Sequence, residues 1–207
     1  MTAIEIGRLL RAGTTGFVAG CRVSRIGTPS FGALVRAPLD AGYQIFGLIH
    51  DIHIDDDGLV RQLVTTEEID QAVIIDNRVN RNVPIEMSVL AVGYQQDGNI
   101  HHLLPPRPAL SLDVIYLCSA QEMRDFTSSG RFGYFRHVLR SSELPIGDLL
   151  AAHINQVQPV QSEVGNEAWA LKATQELIIL LRDDYPALMS VISTLADAVP
   201  GNWEGMS

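Results

Sequence analysis

The apolar pattern of this chain changes period near residue 119, and that change constrains the fold more than any other feature. Before it, short apolar runs are bounded by Gly, Pro and Ser, and some alternate with a period of two. After it, apolar residues recur at i, i+3 and i+4. Such a chain is expected to be α+β, a small closed or partly open β-barrel followed by a C-terminal bundle of about three helices. The expected division is a β domain over 1–118, a connector over 119–140 and an acidic helical appendage over 141–207. With 207 residues and 46% apolar composition, there is enough chain to bury a sizeable core.

In the β half, Gly16–Val23, Gly32–Ala37 and Tyr43–Ile54 read as strands. Gly20 and Gly47 fall inside them, and a strand glycine marks a bend or bulge of the kind found at barrel corners. Asp55-Asp56-Asp57-Gly58 has turn chemistry. Thr65-Thr66-Glu67-Glu68 reads as a capping box that opens a helix to about Asn77, with Ile69, Val73 and Ile74 on its buried stripe. Strand character returns over Pro84–Tyr94, and Asp97-Gly98 is a hairpin signal. Leu104-Pro105-Pro106-Arg107-Pro108 is an extended connector, because proline cannot donate to a ladder. Ser111–Leu117 is the last strand.

The helical half is read as helices over about 143–155 and 166–182, and a third in whose first turn Pro186 lies. The longest apolar runs fall well short of the ~20 residues of a membrane span, and no charged segment followed by an apolar one opens the chain. The expected location is the cytoplasm. Cys21 and Cys118 are too few and too far apart for a disulfide framework or a thiolate knuckle, and read as small core residues.

Charge is unevenly placed. Residues 1–140 hold 13 basic and 15 acidic groups, net −2, whereas residues 141–207 hold 2 and 9, net −7. Phosphate-rich partners are held mainly by basic charge, so this balance disfavours a free-standing binder of nucleic acid or anionic membrane. Lys172 is the single lysine among 15 basic residues. It lacks a preceding glycine-rich stretch and a following Ser or Thr, so there is no phosphate loop.

Two clusters could carry chemistry. His50-Asp51-Ile52-His53-Ile54-Asp55-Asp56-Asp57 offers metal-ligand types, and strand alternation puts Asp51, His53 and Asp55 on one face. A calcium loop of the EF-hand kind fails, since Val64 stands where its bidentate Glu belongs. The plainer reading, a solvated strand face running into an acidic turn, is favoured. Arg124, Arg131, Arg136 and Arg140 interleave with Phe126, Phe132, Tyr134 and Phe135, which could hold single-stranded nucleic acid by phosphate pairing and stacking. The favoured reading has the aromatics packed on the barrel and the arginines facing the acidic helices. His101-His102 cannot chelate one ion from adjacent strand positions, and His153 reads as a half-buried interface residue. No G-x-S-x-G elbow occurs, and neither cysteine has a sequence-local base.

The order of strands, the helical insertion, Val89-Leu90-Ala91-Val92-Gly93-Tyr94 and the Pro105-Pro106-Arg107-Pro108 connector resemble the HAS-barrel. That small barrel is shared by the N-termini of HerA-type DNA-translocating ATPases and ATP-synthase subunits. The resemblance covers roughly residues 4–118. In HerA-type proteins a RecA-like domain with a phosphate loop follows; here about ninety residues of helical pattern follow without one. What the resemblance implies is therefore limited to packing against neighbouring subunits. The expectation is a non-enzymatic assembly module without a cofactor, docking onto itself or onto a partner ring ATPase involved in DNA processing. The alternatives are a nucleic-acid accessory factor using Arg124–Arg140, and a metal-dependent enzyme around His50–Asp57.

Overall fold

The computed structural model describes residues 3–21, 29–40, 42–54, 65, 70–79, 85–141 and 143–198. Strands β1 (Ile4–Ala12), β2 (Gly16–Cys21), β3 (Leu34–Asp40), β4 (Tyr43–Ile54), β5 (Ile85–Gln96) and β7 (Val114–Leu117) pair antiparallel in the order β2-β1-β7-β3-β4-β5. A further β2–β5 pairing, from Gly16↔Leu90 to Cys21↔Ile85, closes the ring into a six-stranded barrel. Closure gives each of these six strands a hydrogen-bonded neighbour on both sides. The short β6 (Asn99–His101) extends β5 through a hairpin in which Asp97 and Gly98 take φ of 50° and 83°, as the Asp-Gly signal requires.

The barrel is tight enough that glycine is needed where strands cross. A Cβ at Gly7 would lie 2.5 Å from the Gly20 carbonyl oxygen, and one at Gly47 would lie 2.4 Å from Val89 Cγ1. The β4–β5 register shifts at Phe46/Gly47, where the extra residue is Val92 of β5, so the bulge lies on the strand facing Gly47 rather than at Gly47 itself.

Two apolar cores result. One draws Ile6, Phe17, Val35, Ile45, Met87 and Ile115 from six different strands and fills the barrel. The other joins Leu34, Phe46, Leu48 and Val92, on the outer face of the barrel, to the helices. Leu34 and Val35 are consecutive and both fully buried, since β3 is covered on both faces.

The helices after β7 are α2 (Ala120–Ser128), α3 (Phe135–Leu139), α4 (Ile146–Ser162), α5 (Trp169–Leu180) and α6 (Tyr185–Ala198). The segment 119–140 is thus mostly helical, and Phe126, Tyr134 and Phe135 are fully buried against the barrel. α4 runs to Ser162, beyond the 155 expected, because Val157 and Gln161 continue its buried stripe past Pro159. α4, α5 and α6 form the C-terminal helical bundle. No helix among the described residues is long and apolar enough to cross a membrane.

The insertion between β4 and β5 departs from the sequence reading. Helix α1 spans Gln71–Val79, and the Asp70 carboxylate accepts from the Ala72 N–H at 2.9 Å, so Asp70 serves as its cap. Residues 66–69 of the expected capping box lie outside the described residues. Val73, expected on a buried stripe, is exposed, as is Ile75, because the described side chains of α1 join neither core.

Candidate interaction surface

Helix α5 is apolar around most of its circumference. Trp169, Ala170, Ala173 and Leu177 turn inward and are buried. Leu171, Ile178 and Ile179 turn outward and remain 43%, 39% and 56% exposed. A helix with apolar residues on opposite sides is stable when both sides are covered. Here one side is covered. The outward stripe continues into the start of α6, where Tyr185 and Met189 are also exposed. Asp183 and Asp184, both exposed, sit at the junction between the two helices.

At the opposite end of α5 lies the arginine segment. Gly130, Arg131 and Phe132 take φ of 56°, 48° and 55°, a short left-handed turn. Each non-glycine residue in that conformation costs roughly 1–2 kcal/mol. Packing holds it: the Phe132 ring lies 5.5 Å from both Phe135 and Trp169, at the N-terminus of α5. Arg131 is left pointing to solvent. Among the described residues Arg131, Arg136 and Arg140 are exposed and make no ion pair, whereas Arg124 meets Glu163 at 3.5 Å. Phe126, Tyr134 and Phe135 are fully buried, so those rings offer no stacking platform for bases.

Behind the arginines, a histidine seam ties barrel to helices. His102 Nε2 meets the Phe126 carbonyl at 3.0 Å, and its ring packs 4.7 Å from Phe126 and 5.0 Å from Tyr134. His137 Nε2 meets the His102 carbonyl at 3.2 Å. Burial disfavours the charged ring and lowers the pKa of both. His153, expected to be half-buried, is fully buried between the Tyr134 hydroxyl and the Gly32 carbonyl. His101 points the other way, stacking on Tyr94 at 4.8 Å. The exposed Leu103 and Leu104 follow His102 and emerge beside the arginines: the Arg136 guanidinium and the His102 side chain both flank Gly133.

The acidic and histidine cluster is placed differently. The β4–β5 register shifts between Ile49 and Asp51, which makes His50 the bulged residue. His50 is half-buried, its pKa lowered by burial against the opposing effect of Asp51. It lines an open cleft of about 470 Å³ with Arg11, Thr15, Ser88 and Glu143. Asp51 and His53 are exposed, with Ser88 and Glu86 opposite them on β5. Asp55, Asp56 and Asp57 lie outside the described residues. Among the described residues no three His, Cys, Asp or Glu side chains gather closely enough to hold a metal. Cys21 and Cys118 are buried, and burial pushes the Cys118 thiol well up, away from the reactive thiolate.

The sequence reading named Leu171 and Ile178 as helix residues and missed that they face outward. The signal was present, since apolar residues at 169–171, 173, 177 and 178–181 exceed what one face of a helix can bury. Comparison with models of known protein families and with curated proteins finds no match.

Proposed function

We propose that the protein is a non-enzymatic assembly module, docking onto a second copy of itself or onto a ring ATPase that carries its own phosphate loop. The observation that carries this reading is the outward stripe of α5, Leu171, Ile178 and Ile179, which continues to Tyr185 on α6. Several large apolar side chains exposed on one side of a helix, with charged residues beside them, are a mark of interaction sites in soluble proteins. The closed barrel supports the reading through its resemblance to the HAS-barrel, whose role in ATPases is to pack against neighbouring subunits. The sequence supports it too, since the chain has no phosphate loop with which to act as the motor itself.

Light scattering on the eluting protein tests this reading, together with a search for a co-purifying ring ATPase. An assembly larger than 22.7 kDa, or a stoichiometric ATPase, is expected. A strict monomer that brings no ATPase overturns the proposal.

A second reading has one observation in its favour. Arg131, Arg136 and Arg140, without ion partners among the described residues, could contact the phosphates of a nucleic acid. The buried aromatics weigh against it.

A further inference from the structure

We propose that Arg131, Arg136 and Arg140 form a binding site for a phosphate monoester, a compact oxyanion with close to two negative charges at neutral pH. The site is independent of the assembly reading, and it gives these arginines a ligand other than nucleic acid.

Local structure brings the three side chains together. The Arg140 N–H donates to the Arg136 carbonyl at 3.2 Å, so the two residues lie one helical turn apart along α3. The Arg136 guanidinium reaches back against the left-handed turn that carries Arg131: its Nη2 is 3.0 Å from where a Cβ on Gly133 would lie. The Gly133 N–H closes that turn on the Gly130 carbonyl at 3.0 Å. Each guanidinium presents a planar fork of donors that matches phosphate oxygens.

This charge is not neutralised from nearby. No Asp or Glu occurs from residue 126 to residue 142. The preceding acid, Asp125, accepts from Gln121 Nε2 at 2.7 Å, and among the described residues Arg131, Arg136 and Arg140 make no ion pair. Like charges one helical turn apart repel, and the repulsion reaches the histidines behind them. Burial first disfavours the charged forms of His102 and His137. Arg136 opposes both further, Arg140 adds at His137, and His137 adds at His102. An oxyanion held by the arginines offsets that repulsion and so raises the pKa of both rings.

A phosphate monoester fits better than a nucleic acid. A nucleic-acid strand spreads single charges along its length and gains from base stacking. Here three cations are gathered on one turn and one short helix, and the neighbouring Phe132 ring is already packed on Phe135 and Trp169.

Isothermal titration calorimetry on the full-length protein, at about pH 8 and constant ionic strength, tests the site. The probes are O-phosphoserine, a phosphoserine peptide flanked by leucines, dimethyl phosphate and a single-stranded oligonucleotide. Saturable binding of O-phosphoserine is expected, with dimethyl phosphate at least ~10-fold weaker. Tighter binding of the peptide, through the exposed Leu103 and Leu104, assigns the source to a phosphorylated polypeptide; equal binding assigns it to a free phosphate compound. Arg136→Gln/Arg140→Gln should weaken binding at least ~10-fold with an unchanged far-UV spectrum, whereas Arg182→Gln, beyond the end of α5, should not. Ring NMR titrations should show the His102 and His137 pKa values rising on saturation, a shift that screening at constant ionic strength does not produce. No saturable binding of either monoester, tighter binding of the oligonucleotide than of both, or binding unchanged in the double variant overturns the inference. Assembly is read separately by light scattering, so failure here leaves the assembly reading intact.

Discussion

The Tyr134 hydroxyl and His153 Nε2 lie 3.0 Å apart, and His153 Nδ1 lies 3.2 Å from the Gly32 carbonyl oxygen. A carbonyl only accepts, so Nδ1 carries the proton and donates to Gly32, while Nε2 accepts from Tyr134. One neutral imidazole thus joins the barrel, the arginine segment and α4. Replacing it, as in His153→Ala, leaves a buried carbonyl and a buried hydroxyl unpaired and opens a cavity. Chemical denaturation should show a loss of about 3 kcal/mol.

The same histidine sets an acid limit. Burial holds its pKa down to about 4 from the ordinary 6.5. Between those values the unfolded chain binds a proton that the native state excludes. Stability therefore falls as pH drops from 6.5 to 4, by about 3 kcal/mol for this group, and its contribution is then constant below 4. His102 and His137, also lowered by burial, act with the same sign. Denaturation midpoints measured across that range should fall more steeply for the wild type than for His153→Ala. Equal slopes would show that the ring is not excluding a proton.

Two glycines let the helices reach the barrel. A Cβ on Gly32, where φ is +80°, would sit 2.7 Å from Ala152 Cβ and 2.8 Å from the His153 nitrogen. A Cβ on Gly93 would sit 2.6 Å from the His101 carbonyl oxygen and 2.9 Å from the Phe126 ring. Gly32→Ala combines left-handed strain with overpacking and should cost about 3 kcal/mol; Gly93→Ala, with overpacking alone, should cost about 2. Unchanged midpoints in urea would contradict the close packing of the seam.

Glu122 has two tasks. One carboxylate oxygen accepts from the Ser119 N–H at 2.8 Å in a capping box, and the other meets Arg36 Nε at 2.6 Å. Arg36 is largely buried beside the Tyr116 ring. Glu122→Ala should therefore destabilise by about 2 kcal/mol, combining a lost cap with an unpaired, half-buried cation. Glu122→Gln keeps an acceptor for Ser119 and should lose less. Thermal melts of the two variants separate the tasks, and identical losses would place the whole effect in the charge.

Burial of Phe126, Tyr134 and Phe135 leaves only the partly buried Phe132 ring, itself packed on Phe135 and Trp169, as aromatic surface beside Arg131, Arg136 and Arg140. Fluorescence anisotropy with single-stranded and duplex DNA should show no binding at physiological salt. Binding there, abolished by Arg131→Glu/Arg136→Glu, would move the assignment to the nucleic-acid reading.

The barrel was legible because strand periodicity, internal glycines and the Asp97-Gly98 turn are local signals. Gly47 read as a bend or bulge, and a bulge does lie at that point of the ladder, but on the facing strand at Val92. The three C-terminal helices were legible from their inward stripes. Helix α1 was misjudged because Val73 has the spacing of a core residue, and only the tertiary arrangement leaves it outside both cores. The left-handed turn at 130–132 was hidden because non-glycine residues enter that conformation under packing from distant partners, here Trp169. Asp51 and His53 were correctly placed on one strand face, but a bulge at His50 lies beyond what alternation alone can show.

The central claim is that the outward stripe of α5 is a docking surface, and the mass of the protein in solution tests it most directly. Light scattering across a dilution series should give the wild type as a multiple of 22.7 kDa or in complex with a ring ATPase. Ile179→Glu, with an unchanged far-UV spectrum, should run at 22.7 kDa alone. A wild type that stays at 22.7 kDa with no such partner, or an Ile179→Glu variant that assembles as the wild type does, would contradict it.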